Sequence, residues 1–69
     1  MASRPSFEPE ETWRMVIDQE ARSRELYERL AALAEDEAVR SLFTFLAGEE
    51  ARHERMLRDE YERAFMPDL

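Results

Sequence analysis

No cysteine occurs in this chain, which excludes disulfide staples, thiolate zinc sites, iron–sulfur clusters and a built-in rubredoxin-type centre. Glycine occurs once and proline three times, too few turn-formers for a strand-rich fold. No apolar run approaches the roughly 20 residues that cross a bilayer, and the start Met1-Ala2-Ser3-Arg4-Pro5 lacks a signal-peptide core. Positive charge is in deficit. Ten basic residues against 17 acidic ones leave a net charge of −7, which argues against nucleic acid and against an anionic membrane as partner. A cytoplasmic location is expected.

What is present is charge and apolar surface in near balance, 39% and 43% of residues, as in long amphipathic helices. Sixty-nine residues make one domain, 1–69. A core below roughly 70–80 residues supplies only about 3–5 kcal/mol, so such a chain needs a staple. With disulfides excluded, metal and self-association remain.

The spacing predicts two helices. Residues 1–8 form an irregular lead-in, with Pro5 and Pro9 keeping their predecessors extended. Pro9 suits a first helical turn, and Glu10 and Glu11 complement the positive end of the helix dipole. Helix one runs over about 9–34, Asp36 is the expected N-cap of the next helix, and helix two runs over about 37–65 with Pro67 marking its end. So short a connection makes the helices antiparallel neighbours.

Steps of three and four select Trp13, Val16, Glu20, Ser23, Tyr27, Leu30 and Ala34 in the first helix. In the second they select Val39, Leu42, Leu46, Glu50, His53, Leu57, Tyr61 and Ala64. Ile17, Ala31, Leu33, Phe43, Ala47 and Phe65 widen the apolar face. Two helices alone cannot cover faces this wide. The expected fold is all-α, a hairpin that dimerises into a four-helix bundle.

Three polar residues interrupt the stripes. Glu20 intrudes in helix one, and Glu50 with His53 in helix two. At about 1.5 Å per residue, Glu20 and Glu50 lie roughly equally far from the loop, about 20 Å, so they share a level. Glu50 and His53, an i, i+3 pair, can reach one ion. Two copies would supply four Glu and two His, the ligand set of di-iron and di-manganese bundles. Oxygen donors and imidazole without sulfur favour iron or manganese, and zinc can occupy such a site in vitro. The bland alternatives are a satisfied core histidine and a surface ion pair for Glu50, although its i+4 neighbour is Glu54 rather than a base.

At these residues the chain resembles the rubrerythrin branch of the ferritin-like superfamily, from about residue 13 to residue 61. The first signature is Glu20-Ala-Arg-Ser-Arg-Glu-Leu-Tyr27, leading into Leu30-Ala31. The second, Phe43-Thr-Phe-Leu46-Ala47-Gly-Glu49-Glu50-Ala-Arg-His53, is close to the family's Phe-x-x-Leu-Ala-x-Glu-Glu-x-x-His. With one helix pair instead of two, the chain is similar to the encapsulated ferritins, whose two-helix subunits form a ferroxidase site between protomers. The resemblance implies that Glu20, Glu50 and His53 are iron ligands, two ions per dimer, with Glu50 the bridging carboxylate. It also implies a homodimer or higher homo-oligomer acting on Fe(II) with dioxygen or peroxide, and a surrounding protein nanocompartment as one setting. No rubredoxin domain accompanies it, and the tail after Pro67 is too short for an evident shell-targeting extension.

Tyr27, two turns from Glu20, is either a hydrogen-bonding neighbour of a ligand carboxylate or an aromatic core filler. Trp13 and Tyr61 read as core or interface. Glu49 reads as a solvated or ion-paired carboxylate, and Arg22, Arg24, Arg52, Arg55 and Arg58 as exposed partners of neighbouring glutamates. The expected function is a di-iron ferroxidase serving iron storage or detoxification. Its competitors are a peroxide reductase with an external electron donor, and a metal-free helical dimerisation module whose polar residues set register.

Overall fold

The computed structural model describes residues 8–66, so the readings placed on Pro5 and Pro67 lie outside the described residues. Helix α1 spans Pro9–Leu33 and α2 spans Glu37–Phe65, with no strand among the described residues. The two pack as an antiparallel hairpin. Neither is long and apolar enough to cross a membrane.

Each boundary has a local cause. Pro9 opens α1 with Glu10 and Glu11 in its first turn. The first helix ends one residue earlier than the sequence pattern suggests: Ala34 is already extended, and its N–H reaches back to the Ala31 carbonyl at 3.4 Å. Asp36 caps α2 as expected, Oδ1 accepting from the N–H groups of Ala38 at 2.7 Å and Val39 at 3.1 Å. Helix α1 has no basic residue in its last turn. Arg40 supplies one from the far side of the loop, donating to the Ala34 carbonyl at 2.8 Å while paired with Glu37. One arginine therefore satisfies an orphaned carbonyl of α1 and ties the connection to α2.

The register is pinned at both ends. Near the loop, Tyr27 stacks on Phe43 with ring centroids 6.2 Å apart. Towards the open end, the Trp13 indole donates to the Leu57 carbonyl at 2.8 Å, and Phe65 lies edge-on to Trp13 and tilted against Tyr61. The Tyr61 hydroxyl donates to Glu10 at 2.6 Å and accepts from Arg14 at 3.2 Å. Trp13 and Tyr27 each stand one heptad from Glu20, as Leu57 and Phe43 stand one heptad from Glu50. Glu20 and Glu50 are thereby level across the seam.

The seam is narrow. Only Ile17 and Ala47 are buried among the described residues. Both had been assigned to the flank of the apolar stripe, whereas Val16, Val39 and Leu42 from its centre remain exposed. The stripe spans more arc than one neighbouring helix can cover, and α2 takes its Ile17 edge. Val16 of α1 and Met56 of α2 wall one groove on a face of the hairpin, and Leu26, Leu33, Leu42 and Phe45 are exposed as well. Leu33 is 77% exposed and Met56 65% exposed. A single hairpin leaves that face in water.

Gly48 stands inside α2, where a Cβ would meet nothing within 4 Å. It permits no close approach within the hairpin. Gly48→Ala is expected to stabilise the chain by about 1 kcal/mol through helix propensity, read as a higher midpoint in thermal melts followed by circular dichroism. A loss of stability instead would mean that the open space at Gly48 is used by something outside the hairpin.

Candidate metal centre

Glu20 leaves α1, and Glu50 and His53 leave α2, where the helices run level. The heptad spacing of Trp13, Glu20 and Tyr27 sets the first residue, and the i, i+3 step sets the other two on one face. His53 Nδ1 lies 3.6 Å from Glu20 Oε2 and 3.8 Å from Glu50 Oε2. One donor atom from each of the three falls within 4.8 Å of the others. The structure thus brings together all three residues singled out as ligands.

Exposure grades across the cluster. The Glu20 and Glu50 side chains are 25% and 21% exposed, while His53 is 49% exposed. Glu20 Oε2 is fully shielded from solvent yet has no hydrogen-bond partner. A desolvated carboxylate oxygen without a donor is costly, and a bound cation satisfies it. Two carboxylates and an imidazole are the donors iron and manganese accept. Glu20 and His53 border the face that carries the exposed Val16 and Met56. There a groove of about 370 Å³ runs beside Glu20 and His53, walled by Trp13, Val16, Met56 and Leu57.

The electrostatics express the same crowding. The Glu50 carboxyl titrates above the ordinary glutamate range, chiefly because Glu20 can accept a hydrogen bond from its protonated form. Burial and the Glu20 charge push the same way, and His53 opposes them.

The residues of weaker claim have settled neighbours. Tyr27 is packed on Phe43, and among the described residues no hydrogen bond joins its hydroxyl to Glu20 or Glu50. Trp13 and Tyr61 belong to the aromatic cluster of the open end. Glu49 is paired with Arg52. Arg24 departs from expectation. It is not a surface arginine serving only its own helix but crosses to α2, where its Nε donates to Glu54 Oε1 at 3.2 Å. Arg58 donates to the other oxygen of Glu54 at 3.1 Å. Burial pushes Glu54 up, but the hydrogen bonds from Arg24 and Arg58 outweigh it and leave the carboxyl below its ordinary range. The signal for this pair was that Arg24 and Glu54 each sit one turn beyond a ligand glutamate on the inward arc.

The chain matches no protein-family model, no curated protein and no solved structure. The ferritin-like resemblance therefore rests on the motif residues themselves.

The Glu50 shift has a sign that can be checked in metal-free protein. The folded state holds this proton to higher pH than the unfolded chain, so its contribution to stability is full below about 4.5 and is lost as pH rises through the raised value. Glu50→Gln, permanently neutral, should melt higher than wild type at pH 7 in chelator and approach it below pH 4. A Gln variant less stable than wild type at neutral pH would show that Glu50 is held ionised by a favourable partner.

Proposed function

We propose that this protein is a di-iron ferroxidase whose site is completed by a second copy of the chain. The observation that carries the reading is the convergence of Glu20, Glu50 and His53 within 4.8 Å around a shielded carboxylate oxygen that accepts no hydrogen bond. Support comes from where the cluster lies: beside the face that carries the exposed Val16 and Met56. A two-fold partner laid on that face would cover apolar surface and bring a second Glu, Glu, His set to the same level.

In this reading Fe(II) is the substrate. Two ferrous ions held side by side each yield one electron to the same oxidant, dioxygen or peroxide. The chain's own residues bind and orient. Glu20 and Glu50 would provide anionic oxygens and His53 an imidazole nitrogen, with Glu50 the bridging carboxylate that the resemblance implies. Four carboxylates from two chains balance two divalent ions, which removes the repulsion that disfavours both glutamates ionised in the free hairpin. Trp13, Val16, Met56 and Leu57 exclude water from the approach once covered.

The test begins with anaerobic loading. Wild-type protein should retain about one Fe(II) per chain, and Glu50→Ala or His53→Ala should lose most of it. Admission of air should then produce ferric absorbance with oxygen consumed. Glu20→Ala should slow this to near the buffer rate at matched dimer fraction. Wild-type protein that holds no stoichiometric iron would overturn the proposal and leave the metal-free dimerisation module. Iron turnover that needs both peroxide and an added reductant would favour the peroxide reductase.

Assembly is separately testable. The uncovered apolar face implies that dilution couples dissociation to loss of helix, seen as a concentration-dependent melting midpoint. A fully helical monomer at micromolar concentration, with a midpoint independent of concentration, would contradict a shared site.

A further inference from the structure

Among the described residues the ion pairs of Glu20 and Glu50 involve His53 alone, in a chain with ten basic residues, all of them arginine. Helical spacing explains most of this. Arginine pairs with glutamate three or four residues away, as Arg14 does with Glu10, Arg52 with Glu49 and Arg63 with Glu60. At those distances from Glu50 stand Leu46, Ala47, His53 and Glu54, none of them arginine. From Glu20 they are Val16, Ile17, Ser23 and Arg24. Arg24 is therefore the one arginine at pairing distance from a ligand carboxylate. The order is also the favourable one, Glu preceding the base by four residues, and a helical side chain leans towards the N-terminus, here towards Glu20.

Arg24 nevertheless leaves Glu20 alone. Its Nε is held by Glu54 Oε1 at 3.2 Å and its Nη1 by Glu28 Oε1 at 3.1 Å. Glu28 is 54% exposed and a weak anchor, whereas Glu54 is only 15% exposed and is itself fixed by Arg58 on its second oxygen. Glu20 Oε2 correspondingly stays shielded and accepts no hydrogen bond one turn from a guanidinium, with His53 Nδ1 its ion-pair neighbour at 3.6 Å. We propose that Glu54 is a positioning residue that draws Arg24 across the helix seam and so keeps it from occupying the Glu20 carboxylate.

The proposal rests on Glu20 being a metal ligand. A guanidinium on Glu20 neutralises the charge and fills the lone pairs that a metal needs, so removing Glu54 converts Arg24 into a competitor. A purely structural ion pair makes a different prediction, because breaking it from either end has the same effect.

The variants Glu54→Gln, Arg24→Gln and the double Arg24→Gln/Glu54→Gln are compared with wild type by Mn(II) titration calorimetry, at matched helix content and dimer fraction. Glu54→Gln should weaken Mn(II) binding by roughly 10- to 100-fold. Arg24→Gln should bind at least as tightly as wild type, and the double variant should return to the wild-type value. If Arg24→Gln weakens binding as Glu54→Gln does, or the double variant fails to recover, the proposal is overturned. That holds from Arg24→Gln alone should Glu54→Gln fold poorly. A metal-free measurement separates this idea from the ligand reading. The Arg24 Nε–H resonance should ignore Glu20→Gln in the wild-type background and shift with it in the Glu54→Gln background. Wild-type protein that binds no Mn(II) would refute the ligand role of Glu20. The resonance would then still decide whether Glu54 governs Arg24, and an Arg24 signal indifferent to Glu20 in both backgrounds would refute that too.

Discussion

Glu20 and Glu50 confront each other across the one helix seam this chain possesses, at a level fixed by an aromatic contact one heptad to either side. Two like charges about 4 Å apart near a protein surface repel by roughly 4 kcal/mol. A core of this size supplies about 3–5 kcal/mol in total. The two terms are of the same magnitude, so the facing carboxylates weigh on the stability of the hairpin in the absence of compensation. His53 between them gives some of it, and the raised Glu50 titration shows how incomplete it is. In the proposed site a divalent cation would be the compensation that also satisfies the shielded Glu20 oxygen.

The seam beside that cluster is thin because the apolar arc of each helix is divided between two directions. Ile17 and Ala47 face the sister helix and are buried, while Val16 and Leu42 face outward. In the proposed dimer one act of association would cover the outward arc and fill the open coordination positions. Binding and assembly would then be linked: whatever occupies the site stabilises the pair, and dilution or chelation acts on both. The half-exposed His53 fits this division, since it belongs to both arcs.

The helix limits were legible in the sequence because each is set locally, by Pro9 at one start and by the Asp36 cap at the other. So was the meeting of Glu20, Glu50 and His53, which needs only equal rise from a short loop and an i, i+3 step. Which edge of the stripe would be buried was not legible. A wide apolar arc says that a helix has neighbours but not which neighbour takes Ile17 and which leaves Val16. The Arg24 and Glu54 pair was hidden for a related reason. Arg24 has a glutamate four residues away on each side, Glu20 and Glu28, so a single-helix reading offers it local partners. Only the inter-helix register shows that Glu54 lies within its reach.

That choice of partner bears on how a chain so rich in arginine keeps cations out of an anionic centre. Besides Arg24, five of its arginines pair with glutamates three or four positions away on their own helix, from Glu10 and Arg14 at one end to Glu60 and Arg63 at the other. Each such pair adds little to stability. Their collective effect is on placement, because an arginine engaged at its own helix surface has no reason to reach inward. Among the described residues Arg24 is the arginine one turn from Glu20 that crosses the seam, and the structure turns it towards Glu54 rather than Glu20. With local cations excluded, the charge that Glu20 and Glu50 share is left for something smaller than a guanidinium, able to sit between three donors within 4.8 Å of one another. In the proposed site an ion would satisfy that geometry, and a side chain approaching from one direction would not.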